Sequence, residues 1–106
     1  MWCANVGDSW CVLFKKDKKI VPLSTDHKPD LKAEKDRILS KGGWVESYKD
    51  INGNSLGPAR VWLKDEDIPG LAMSRSFGDL IACSIGVICD PGNQICINDQ
   101  KFLILY

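Results

Sequence analysis

A chain of 106 residues with 14 basic and 14 acidic side chains carries no net charge, which argues against nucleic acid or another polyanion as a partner. Apolar residues make up 44% and charged residues 26%, an ordinary soluble profile for one small domain with a modest core. No apolar run approaches the roughly 20 residues of a membrane helix, so no membrane partner is expected. The first residues, Met-Trp-Cys-Ala-Asn, lack the basic and apolar regions of a signal peptide. Five cysteines, Cys3, Cys11, Cys83, Cys89 and Cys96, are odd in number and form no C-x-x-C pair. That count argues against disulfides and a zinc site, and for reduced thiols in an intracellular protein, cytoplasmic or nuclear.

The chain opens with two apolar runs around a Gly7-Asp8-Ser9 corner. Trp2, Ala4 and Val6 alternate with Cys3 and Asn5, and Trp10, Val12 and Phe14 with Cys11 and Leu13. Both arms are apolar on both faces, as strands buried in a layered fold are. Gly7 permits the sharp turn, and Asp8 tolerates it while keeping its carboxylate free. A carboxylate at the end of a buried strand needs a positive partner: a metal ion, a basic side chain or a set of backbone N–H groups. Lys15 to Lys19 reads as a solvated hairpin turn leading to a strand at Ile20–Leu23, in preference to a phosphate patch.

Pro29 disfavours helix at Lys28, and Asp30 is positioned to cap a helix over Leu31–Lys41. Leu31, Ile38 and Leu39 give that helix a thin apolar face, and Gly42-Gly43 stops it. His27 is the sole histidine and reads as a structural hydrogen-bonding group. Trp44–Tyr48 reads as a short strand, Asn52-Gly53 as a hairpin turn, and Arg60–Leu63 as the returning partner strand. Asp65-Glu66-Asp67 reads as a solvated loop and not a cation site, because neighbouring residues of an extended segment point apart. Ile68-Pro69-Gly70 fits a type II turn. Met73, Phe77, Leu80 and Ile81 lie at helical spacing and predict a helix within Leu71–Ile81, ended or bent at Gly78. On that reading Met73 and Phe77 are core and Arg75 pairs with a nearby acid. Strands follow at Ile85–Cys89, at Ile95–Ile97 after a Pro91-Gly92-Asn93 turn, and at Phe102–Tyr106, the last apolar on both faces like a central strand.

These stretches, taken in order, resemble the protein phosphatase 2C family, the metal-dependent (PPM-type) protein serine/threonine phosphatases. Ala4-Asn5-Val6-Gly7-Asp8-Ser9 resembles the family's Gly-Asp-Ser corner, and Leu23 to Pro29 its Asp-His-Lys-Pro segment. Glu34, Arg37, Ile38, Gly42, Gly43 and Val45 match the following helix and glycine pair. Arg60-Val61 and Leu71 to Asp79 match its Ser-Arg-x-x-Gly-Asp block. Gly86-Val87-Ile88, Pro91 and Phe102–Leu105 fit the strands after it. Each motif is weak alone; their order makes chance an unconvincing explanation.

The resemblance implies an α+β fold, part of a four-layer αββα sandwich of antiparallel sheets flanked by helices. It implies Mg2+ or Mn2+ as cofactor, a phosphorylated protein as substrate, and hydrolysis of phosphoserine or phosphothreonine by metal-activated water. Carried over by position, Asp8 matches a carboxylate of an additional, weaker metal position. Asp26 and Asp79 match positions that cap turns or pair with backbone and arginine. Ser74 and Arg75 match supports of the site and its flap, with Gly7, Ser9 and Gly78 as motif glycines and serine. The insert from about Tyr48 to Pro69 occupies the flap, where substrate preference is usually set.

The departures are equally specific. The family's Asp-Gly-His-Gly-Gly segment, its phosphate-binding arginine and its late Asp-Asn segment have no match, and Tyr106 stands just before an expected Asp-Gly pair. Trp10 replaces the arginine that usually follows Gly-Asp-Ser, which removes a salt-bridge partner from a nearby acid. Residues 1–106 are therefore expected to be the central portion of a phosphatase domain, incomplete at both ends. With no catalytic residue assigned and Asp8 as its one metal ligand, the chain alone is expected to be inactive. The alternative is a non-catalytic pseudophosphatase or phosphoprotein-binding, regulatory module.

Overall fold

The computed structural model describes residues 2–92, 95–96 and 103–105, and side chains over 2–92. Its elements are β1 (Trp2–Cys3), β2 (Cys11–Phe14), β3 (Ile20–Pro22), α1 (Lys32–Ser40), β4 (Gly43–Lys49), β5 (Ser55–Leu63), β6 (Pro69–Leu71), α2 (Leu80–Ser84), β7 (Ile95–Cys96) and β8 (Leu103–Leu105). They form three antiparallel sheets, β1-β7, β3-β2-β8 and β4-β5-β6. The mixed α and β composition with antiparallel pairing is the fold class expected. Among the described residues no helix is long and apolar enough to cross a membrane.

Two apolar clusters anchor these sheets. Ile38 of α1 packs with Val45, Val61, Ala82, Ile85 and Val87. Cys3, Cys11, Leu13 and Leu23 form the other. The second cluster uses one face of β2, so the expectation of arms buried on both faces is corrected. Trp2 and Trp10 are 71% and 61% exposed, and β1 ends at Cys3. Beyond Cys3 the backbone leaves the ladder, because Asn5 bonds elsewhere: its amide donates to the carbonyls of Gly7 and Thr25, and its own carbonyl accepts from Gly92 N–H.

Helix α1 keeps nearly its expected span, but its cap and buried face differ. Leu31 is the N-cap, with no side-chain cap bond, so Asp30 does not cap it. Leu31 and Leu39 are exposed; Ile38 and Glu34 are the buried pair, four residues apart on one face. Gly42, at φ +83°, ends the helix. The β4–β5 hairpin forms as expected, closed by Asp50, whose carboxylate accepts the N–H groups of Asn52 and Asn54. β5 starts earlier than expected, at Ser55.

The C-terminal half holds the larger corrections. The type II turn expected at Ile68–Gly70 is absent. The reversal lies at Lys64–Asp67, where Leu63 N–H reaches Ile68 O, and Pro69–Leu71 is strand β6 after a cis Ile68–Pro69 bond. No helix spans Leu71–Ile81. Ser74 N–H donates to His27 O and Ser76 N–H to Ile88 O, so the segment's donors go to distant chain and not to an i−4 carbonyl. Phe77 and Leu80 are 77% and 84% exposed, so Phe77 is not core; of the apolar stripe only Met73 is half-buried, and α2 begins only after Gly78 and Asp79. Ile85–Cys89 is not a strand: Ile88 makes a single parallel bridge to Arg75. β7 and β8 fall within the strands expected near them, and β8 pairs with β2 among the described residues, which makes β2 the centre of that sheet. Asn93, Ile97, Phe102 and Tyr106 lie outside the described residues.

Gly43 sets how closely β4 approaches α1. A Cβ there would stand 2.7 Å from Ile38 Cγ2 and 2.9 Å from the Ile85 carbonyl oxygen. Gly43→Ala is expected to destabilise the fold by about 1–3 kcal/mol through overpacking, read as a lowered urea midpoint at unchanged slope.

Candidate functional site

Three chain segments cross at the Gly7 corner. Gly7 takes φ +103°, and its carbonyl accepts from His27 N–H at 2.9 Å. His27 Nδ1 lies 3.2 Å from Gly7 N and 3.1 Å from Gly7 O. The His27 carbonyl in turn accepts from Ser74 N–H at 2.8 Å, which ties in the Ser74-Arg75 segment. Gly92 closes over the imidazole, where a Cβ would come within 2.5 Å of Nε2. Burial first, then the positive charge of Arg75, pushes the His27 pKa down. The ring is therefore a neutral, structural clamp, as its place in the sequence suggested.

Beside this clamp, Asp8 meets the basic side chain among the three partners left open. Lys28 Nζ donates to Asp8 Oδ2 at 2.5 Å and lies 3.8 Å from Asp26 Oδ2. The hydrogen bond that Lys28 donates to Asp8 raises the Lys28 pKa, against a smaller opposing effect of burial. Asp26 also accepts the Trp10 indole N–H at 2.9 Å. The indole is a neutral donor, so it satisfies one Asp26 oxygen without supplying a charge. Ser9 contributes its carbonyl, which accepts from Ser24 Oγ.

A second cluster lies under the Ser74-Arg75 segment. Glu34 is 4% exposed, yet both its oxygens are filled. Oε2 accepts from Arg37 at 2.7 Å, Ser74 Oγ at 2.6 Å and Arg75 Nε at 3.1 Å, and Oε1 from Arg75 Nη2 at 2.6 Å. The two guanidinium groups then reach outward: Arg37 to the carbonyls of Gly86 and Ser74, Arg75 to that of Asp90. Burial pushes the Glu34 pKa up, but the bonds from Arg75, Arg37 and Ser74 outweigh it and hold the carboxyl well below the usual range.

The candidate residues therefore fall into two groups and a remainder. Gly7, Asp8, Ser9 and Asp26 gather at the corner, and Ser74 and Arg75 at Glu34, with His27 joining the groups. Gly78 and Asp79 are exposed in the turn before α2, at φ +83° and +42°, and Asp79 makes no side-chain cap bond. Glu34 and Arg37 were matched to the motif helix but not placed at a site. The available signal was polar: a Glu and an Arg three residues apart, on the same turn as the buried Ile38.

Residues 1–106 match the family model described as Protein phosphatase 2C, and the chain belongs to that family. It is 46% identical over 92 residues to "Probable protein phosphatase 2C 73" of Oryza sativa subsp. japonica, covering 83% of this chain and 21% of that protein. It is 41% identical over 112 aligned residues to "Probable protein phosphatase 2C 61" of Arabidopsis thaliana, covering 96% of this chain and 32% of that protein. The chain thus spans a fifth to a third of these relatives. Among solved structures, serine-threonine phosphatase 2C from Toxoplasma gondii superposes with a TM-score of 0.75 at 25% identity, over 98% of this chain and 36% of that one. A second Toxoplasma gondii phosphatase gives 0.65 at 32% identity, over 88% and 27%.

The Glu34 cluster predicts a pH-dependent stability. Glu34→Gln leaves two guanidinium groups facing a neutral amide and is expected to cost about 3–5 kcal/mol at pH 7. Because the folded-state pKa is depressed, Glu34's contribution is full above the ordinary glutamate value and is lost as pH falls below it. The gap between wild type and Glu34→Gln, measured by urea unfolding, is expected to narrow steadily below about pH 4.3.

Proposed function

We propose that the chain is the central portion of a metal-dependent protein serine/threonine phosphatase domain whose complete fold is a four-layer αββα sandwich. Its substrates are phosphoserine and phosphothreonine in proteins. The match to the family over residues 1–106 carries this reading. The free thiols Cys3, Cys11, Cys83 and Cys89 support a reducing, intracellular setting, cytoplasmic or nuclear.

The family's Mg2+ or Mn2+, when bound, supplies an activated water and a clamp on the phosphate oxygens. The donors of this chain do not fit such a centre unaided. Among the described residues no three His, Cys, Asp or Glu side chains converge as a metal-binding group. Asp8 and Asp26 are two carboxylates sharing one ammonium, while a hard divalent cation takes about six oxygens. Asp8 is thus a single ligand of a centre completed by other segments, and Lys28 must give way for it to serve. The chain by itself turns over no phosphoester. The ion pair with Lys28 also favours a second reading, a non-catalytic module that binds phosphorylated partners, because it leaves Asp8 neutralised without metal.

A chimaera separates the two. Residues 1–106 replace the matching segment of the rice relative, and the product is assayed with manganese and a phosphothreonine peptide. Activity is expected, and Asp8→Asn is expected to raise the manganese concentration for half-maximal activity by roughly tenfold. A folded chimaera that binds the peptide without hydrolysing it supports the second reading. An active chimaera indifferent to Asp8→Asn removes Asp8 from the metal site.

A further inference from the structure

The β4–β5 hairpin buries one face and leaves the other as a groove. Val45 and Val61 point into the core. The alternate residues Trp44, Glu46 and Tyr48 line a hollow of about 310 Å3, with Trp62 as its floor and the Lys64–Asp67 loop as its rim. Trp44 and Trp62 are directly paired across the two strands. Trp62 is fixed by its indole N–H bond to the Glu46 carbonyl at 2.9 Å, and Tyr48 stands edge-on to it, 5.1 Å between centroids at 77°. Trp44 is 49% exposed, with its indole N–H on Glu46 Oε2. The walls are therefore aromatic and held in place by the sheet.

The charge around these walls has one sign in excess. Four carboxylates, those of Glu46, Asp65, Glu66 and Asp67, line the hollow against one ammonium, Lys49. Glu46 is paired with Lys49, whereas Asp65, Glu66 and Asp67 have no ion-pair partner among the described residues. Lys64 stands in a smaller adjoining hollow with Trp44 and Asp65, which leaves the rim acidic. Aromatic faces under an acidic rim are complementary to a cation with a flat, weakly hydrated head. A guanidinium stacks on an indole and forks to a carboxylate, which an ammonium does less well. The sheet already contains the cation–aromatic half of this contact: the Arg60 guanidinium lies 5.3 Å from the Tyr48 ring centroid.

We propose that the groove between Trp44, Trp62 and the Asp65–Asp67 loop docks an arginine side chain of a basic peptide segment. This goes beyond the phosphatase reading and needs neither metal nor turnover. Its failure leaves that reading standing, and the failure of that reading leaves the groove intact.

The test titrates acetyl-Gly-Ala-Arg-Arg-Ala-Gly-amide, free of aromatic residues, into the 106-residue chain at low salt. Indole N–H resonances and tryptophan fluorescence report the site. Saturable shifts of the Trp44 and Trp62 indoles are expected, with weaker binding of the lysine analogue and of every peptide as salt rises. The exposed double variant Asp65→Asn/Asp67→Asn, with its fold checked by circular dichroism, is expected to lose about tenfold in affinity, and so is Trp44→Leu. Absence of saturable shifts, equal binding of a Glu-Glu peptide, or full affinity in the double variant overturns the proposal. Self-association that broadens the same indoles without peptide overturns it in favour of a second copy as occupant.

Discussion

The structure depends on one buried carboxylate. Glu34 sits on the inner face of α1, where a second aliphatic side chain would ordinarily pack, and its two oxygens collect two arginines and a serine. An isolated charge at this depth is prohibitively costly, so the site is stable only while every partner is present. Each partner belongs to a different piece of chain or reaches one. Arg37 extends to the Gly86 turn, Arg75 to Asp90, and Ser74 passes its N–H to His27. Segments with no regular secondary structure are held together by this cluster instead of by a ladder. Through His27 the same restraint reaches Gly7, and so the orientation of Asp8.

This explains which parts of the fold were legible in the sequence. Helix α1, the β4–β5 hairpin and its Asn52-Gly53 turn carry local signals: a glycine stop, a turn pair and alternating residues. The Leu71–Ile81 segment carried an equally clear helical stripe, and it misled. The bonds of Ser74 and Ser76 to His27 and Ile88 are long-range, and local periodicity is blind to them. Phe77 and Leu80 are exposed as a result. Glu34 was missed for a related reason: an apolar-face count treats a glutamate as outward, and only its spacing to Arg37 and the later Ser74-Arg75 pair marks it as inward.

The corner was legible as a motif but not as chemistry. Gly7-Asp8-Ser9 pointed to a carboxylate in need of a positive partner without choosing among metal, side chain and backbone. Lys28 makes that choice in the structure, and Trp10 supplies Asp26 with a neutral donor. Two acids converging on one ammonium is an arrangement that a divalent cation competes for only with help from further ligands. On the proposed reading the corner is one part of a larger centre; the chain spans a fifth to a third of the relatives it matches.

Native-state hydrogen exchange tests the central claim most directly, because it reads the amides of Gly7, His27 and Ser74 individually. If the Glu34 cluster holds the corner, the His27 and Ser74 amides exchange only through global unfolding, with the same opening free energy as Val45 and Val61 in the β4–β5 core. Exchange of His27 and Ser74 through local opening, while Val45 and Val61 stay protected, would contradict it.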